Sequence, residues 1–73
     1  MGSVLHLFKT GATPLAVETI RQQIAAGDRV SVVLLDDAAP PPIERLTVRR
    51  VPSEIDYRAL LDLVFEADQV IAW

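Results

Sequence analysis

Val30-Ser31-Val32-Val33-Leu34-Leu35 is the stretch that decides the fold. An almost unbroken aliphatic, β-branched run, stopped by Asp36-Asp37, reads as a strand buried on both faces, the condition of a central strand in a parallel sheet. A parallel neighbour needs a helical crossover, and the preceding residues supply both. Val4 to Phe8 is a second apolar run, broken only by His6 and closed by Lys9-Thr10-Gly11. Between the two runs, Thr13-Pro14 is a helix start: the hydroxyl can accept from an orphan N–H, and proline at the first helical position has no N–H to lose. Ala16, Val17, Ile20 and Ile24 recur at helical spacing, which predicts a helix from Pro14 to about Ala26 with Gly27 as its left-handed stop. Strand, helix and strand form a right-handed βαβ unit.

Downstream, Ala38 to Pro42 is rich in proline and cannot be helical, and Pro40-Pro41-Pro42 reads as a stiff loop. Ile43 to Leu46 allows at most one turn before Thr47 to Val51, whose alternation predicts a third strand. So thin a crossover is expected to leave its side of the sheet poorly covered. Pro52-Ser53 predicts the start of a second helix, with Ser53 as cap, Asp56 three residues on in an approximate capping box, and an end near Ala67. Gln69 to Trp73 is a short β-prone segment. The expected fold is α/β, a small, mostly parallel four-stranded sheet with the chain order β1-α1-β2-β3-α2-β4, in a single domain spanning 1–73. Met1-Gly2-Ser3 precedes the pattern and reads as expression-tag residue.

A chain of 73 residues buries only roughly 60% of its unfolded surface, so its core is small. Disulfides are excluded by the absence of cysteine, and a metal is disfavoured by a single histidine, His6, which leaves oligomerisation as the expected supplement. The hydrophobic content of 51% with 23% charged residues argues for an ordered core. Apolar runs fall far short of the ~20 residues that span a bilayer, and no secretory leader pattern is present, so a cytoplasmic location is expected. A formal charge of −3 disfavours direct nucleic-acid binding, with Arg45, Arg49 and Arg50 the only local basic residues in the middle of the chain.

Candidate chemistry is sparse. No nucleophile with a neighbouring base can be assembled: Ser31 lies in a strand and Ser53 at a cap, and no catalytic residue, metal site or cofactor is expected. His6 reads as a structural residue on its strand, and an enzyme built from His6 with Asp36 or Asp37 lacks an orienting partner. The loop Lys9-Thr10-Gly11-Ala12-Thr13 leads from a strand to a helix N-terminus, which makes Lys9, Thr10, Gly11 and Thr13 an anion-contact candidate without the glycine density of a phosphate loop. Asp36 and Asp37 stand at the sheet edge where α/β proteins bind ligands and could hold Mg²⁺ through water, but read better as a solvated strand exit. Arg49 and Arg50 point to opposite faces, one of them available to a partner or to Glu54.

The second helix is more informative. At ~100° per residue, Tyr57, Leu60, Leu61, Leu63, Val64, Phe65 and Ala67 occupy an arc of about 200°, wider than one sheet face requires. A subunit interface is therefore expected at Tyr57, Leu60, Leu61, Val64, Phe65 and Trp73, with Tyr57, Leu61 and Phe65 as its anchors.

Leu5-His6 in the first strand, Ile55-Asp56-Tyr57 opening a helix rich in leucine and valine, and Ala72-Trp73 together resemble the DsrH/TusB family, of which this chain looks like a shortened member with Asp36 to Leu46 in place of the middle of the domain. The resemblance implies a DsrE-like fold and assembly with cysteine-containing DsrE-like subunits. It further implies a role in sulfur relay, toward 2-thiolation of the wobble uridine in tRNA or in sulfur oxidation. Without a thiolate the chain cannot carry a persulfide, so the implied role is that of a non-catalytic scaffold. The alternative is a stand-alone homo-oligomeric α/β module that binds a small anionic ligand at the Lys9 to Thr13 loop.

Overall fold

The computed structural model describes residues 2–44 and 46–73. The elements are β1 (Ser3–Phe8), α1 (Pro14–Ala25), β2 (Arg29–Leu35), β3 (Thr47–Val51), α2 (Tyr57–Glu66) and β4 (Gln69–Ala72). The strands form one four-stranded sheet in the order β3-β2-β1-β4, with every neighbouring pair parallel. β1 and β2 are the central strands, which explains why their sequences are the most continuously apolar: Leu5, Phe8, Val32, Val33 and Leu34 are all at most 1% exposed.

Alternation along the strands divides the core in two. On one face Phe8, Val32 and Leu34 pack with Ala16 and Ile20 of α1. On the other, Leu5, Val33 and Val51 pack with Leu60, Leu63, Val64 and Ala67 of α2. The steps β1 to β2 and β3 to β4 run in opposite directions across the sheet, and their helices lie on opposite faces, so both crossovers have the same hand.

The segment between β2 and β3 corrects one expectation. It does not leave its side bare: Ala38 is buried in the α1-side cluster, and Ile43 and Leu46 pack against that cluster. This is the face a crossover of the same hand must use, so the short proline-rich path takes the place of a covering helix. Its start is fixed by Asp36, which adopts a left-handed φ of 54°. Asp36 N–H donates to the Val51 carbonyl at 3.1 Å, and Arg50 Nη1 donates to the Asp36 carbonyl at 2.7 Å. Arg50 thus reaches a backbone oxygen rather than Glu54. Arg45 and Met1 lie outside the described residues.

The α1 start is as predicted, with Thr13 Oγ1 accepting from Ala16 N–H at 3.2 Å and Gly27 at φ 89° beyond the end. Within α1 the stripe is rotated: Ala16 and Ile20 are buried, but Ile24 is exposed and Gln23 turns toward the sheet. The predicted cap of α2 is displaced. Pro52 to Glu54 form a turn, in which the N–H groups of Glu54 and Ile55 both donate to the Arg50 carbonyl, and Asp56 is the cap, its Oδ1 accepting from Ala59 N–H at 2.8 Å. Aspartate at this place satisfies an orphan donor of the first turn itself instead of completing a box begun by Ser53. Gly2 and Ser3 are joined to the sheet: Ser3 opens β1, its N–H donates to Asp68 Oδ2 at 2.8 Å, and Gly2 N–H donates to Asp28 Oδ1 at 3.0 Å.

Candidate interaction surface and the buried histidine

Because α2 covers the sheet with only one side, its wide apolar arc is split. Leu60, Leu63 and Val64 are half-buried against the sheet. Tyr57, Leu61 and Phe65, spaced by four residues, form an outward row with exposures of 62%, 54% and 82%. Four-residue spacing stacks side chains along one helix face, so these three make a single apolar stripe. Of the six expected interface residues, Leu60 and Val64 therefore belong to the sheet packing. Trp73 sits on the opposite face, against the α1-side cluster.

The two sheet edges differ in chemistry. β3 carries Arg49 and Arg50 and is followed by Pro52, features that discourage a further strand from pairing there. β4, Gln-Val-Ile-Ala, has no charge and no proline, and Val70, on the α2 face, is 38% exposed.

In the loop after β1, Lys9, Thr10 and Gly11 are exposed, and Thr13 spends its hydroxyl on the α1 cap. Gly27, not Gly11, has a positive φ, so the loop lacks the turned-in amides of an anion nest. The adjacent recess, about 380 Å³, is lined by Ala12, Pro14, Val17, Glu18, Arg21 and Pro42, none of them the lysine, threonine or glycine expected to touch an anion. Asp36 and Asp37 are exposed, and among the described residues no cluster of three metal-ligating side chains occurs.

His6 is brought to neither aspartate. It is fully buried in β1, between Val32 of β2 and Ile71 of β4, and both ring nitrogens are engaged. Nε2 lies 2.6 Å from Gln23 Oε1, and the Trp73 indole Nε1–H donates to Nδ1 at 2.8 Å. An indole nitrogen can only donate, so Nδ1 must be the acceptor and Nε2 carries the proton. The ring is thereby fixed as one neutral tautomer. The His6 and Trp73 planes differ by 9° with centroids 6.0 Å apart. With a hydrogen bond between ring nitrogens, that geometry is edge to edge rather than face to face. Burial holds the His6 pKa below its ordinary value of 6.5, partly opposed by the Gln23 hydrogen bond.

Residue spacing alone does not reveal this Gln23–His6–Trp73 chain. The one available signal is Gln23 itself, a polar side chain three positions after Ile20 on the face that should be apolar. Compared with protein-family models, curated proteins and solved structures, the chain has no match.

Proposed function

We propose that this protein is a non-catalytic subunit of a sulfur-relay complex that docks on cysteine-bearing DsrE-like partners through the outer face of α2. The observation that carries the reading is the stripe Tyr57, Leu61 and Phe65, exposed on a domain whose core is small. Aromatic and leucine side chains in a row are the kind of anchor that a protein interface buries at its centre. The uncharged edge β4 adds a second element on which a sister domain can build. Having no cysteine, the chain cannot itself carry a persulfide, so in this reading the partner would hold it, for tRNA wobble-uridine 2-thiolation or sulfur oxidation. The resemblance of the chain ends to DsrH/TusB proteins supplies the sulfur-relay assignment, and the all-parallel α/β sheet is compatible with it.

The test is purification of the native protein from its own cells, with mass spectrometry of what accompanies it and light scattering for the mass of the complex. Stoichiometric recovery of a small cysteine-containing α/β protein, lost on Phe65→Glu, is the expected result. Recovery of the chain with itself alone would overturn the relay assignment in favour of a homo-oligomer.

A further inference from the structure

We propose that His6 is a proton-operated latch on the edge strand β4: the neutral ring holds the Trp73 indole, and the protonated ring releases it. The inference is independent of the assembly reading. Its basis is the direction of two hydrogen bonds. Nδ1 accepts from Trp73 and Nε2 faces the Gln23 carbonyl oxygen, so a second proton on the ring has only one place to go, Nδ1, where the indole N–H already points. Two donors cannot share that 2.8 Å contact, and the indole must leave when the proton arrives.

What the indole holds is the weakest part of the sheet. β4 has four residues, is paired on one side only, and has no fully buried residue. Beyond it, Trp73 N–H donates to the Leu7 carbonyl at 2.8 Å, and the indole lies beside Phe8. The side-chain bond to His6 therefore clamps the end of an edge strand to the central strand.

The described charged groups around His6 leave the ring to this pair of bonds. On α1, Glu18 and Arg21 are exposed, as are Lys9 after β1, Arg29 on β2, and Asp36, Asp37 and Glu44 in the segment after β2. Arg50 of β3 shares the α1 face but is engaged with the Asp36 carbonyl. Asp28 and Asp68 bind the backbone at the far end of β1. β4 contributes only Gln69, Val70, Ile71 and Ala72.

With one histidine and one tryptophan in the chain, NMR reads both partners without ambiguity. At neutral pH the ring nitrogens of His6 should show protonated Nε2 and unprotonated Nδ1, with a slowly exchanging indole N–H. On acidification below 6.5, the indole N–H and the β4 amides should lose protection together as His6 titrates, while Val32 to Leu34 stay protected. By linkage, each pH unit by which the latch lowers the His6 midpoint is a roughly tenfold weaker hold on the indole in the protonated state. Trp73→Phe should accordingly raise the midpoint toward 6.5. A proton on Nδ1 at neutral pH, an indole that stays protected through the His6 titration, or loss of β2 and β4 protection in a single step would each overturn the latch. These readings on the unmodified chain decide the matter even if Trp73→Phe does not fold.

Discussion

Trp73 Nε1 lies 2.8 Å from His6 Nδ1, a side-chain bond between residues 67 positions apart. It makes a buried polar residue at the centre of the sheet compatible with folding. A neutral imidazole has one donor and one acceptor, and here Gln23 and Trp73 use one each, so nothing polar on the ring is left unpaired. Three separate elements, β1, α1 and the end of β4, are thereby tied at one side chain.

Removing the donor should expose the cost of that arrangement. Trp73→Phe keeps an aromatic ring but leaves Nδ1 buried without a partner, which is expected to cost about 1–3 kcal/mol. Urea unfolding followed by far-ultraviolet circular dichroism measures it. A loss below about 0.5 kcal/mol, the range of an indifferent surface change, would mean that water replaces the indole.

Stability should also depend on pH in a defined direction. The His6 pKa is lowered in the folded state, so the unfolded chain binds the proton more readily. The stabilisation from keeping His6 neutral is complete above its unfolded value of 6.5 and is lost as pH falls from there through the folded midpoint. The slope in that window is at most about 1.4 kcal/mol per pH unit for one group. Urea midpoints measured downward from pH 7.5 should therefore fall in the parent and be flatter just below 6.5 in His6→Gln, which has nothing to titrate there.

How far the sequence reaches is shown by Val32 and Phe65. Val32 lies in a run whose continuity implies burial on both faces, which makes its strand central in a parallel sheet, while the spatial order β3-β2-β1-β4 comes from the structure. Phe65 lies in a helix whose arc is too wide for one face, and of that arc the sequence singles out Tyr57, Leu61 and Phe65 as anchors, the row that the structure leaves exposed, while Leu60 and Val64 turn to the sheet. The start of the helix is less legible: the turn from Pro52 to Glu54 is closed by backbone hydrogen bonds to the Arg50 carbonyl that leave no mark in residue spacing, and it passes the cap from Ser53 to the Asp56 side chain. His6, Gln23 and Trp73 escaped for a related reason. Each reads as an isolated exception in its own segment: the register of β1 against β4 brings Trp73 to His6, and the rotation of α1 over the sheet brings Gln23.

The displaced cap gives a paired comparison. Asp56→Ala removes the acceptor for Ala59 N–H and should cost about 1 kcal/mol, with about 2 as the upper end for such caps. Ser53→Ala, in the exposed turn before the helix, should stay within about 0.5 kcal/mol. Equal effects at the two positions, or a larger one at Ser53, would restore the longer helix expected from Pro52-Ser53.

The stripe on α2 makes the sharpest distinction between folding and assembly. Phe65 is 82% exposed and Leu61 54%, so Phe65→Glu and Leu61→Lys remove little buried surface and should change the stability of the isolated chain by no more than about 0.5 kcal/mol each. Ile20, fully buried on the sheet-facing side of α1, provides the contrast: Ile20→Ala should cost about 2–5 kcal/mol. In an assembly buried at α2, the first two substitutions should nevertheless raise the dissociation constant at least tenfold, because a charge replaces an apolar anchor that the partner has desolvated. Sedimentation velocity across a concentration series, run beside urea unfolding, separates the two effects. Stripe variants that unfold early would show that Leu61 and Phe65 hold the domain itself, whereas variants that are stable and assemble as the parent does would move the interface off α2.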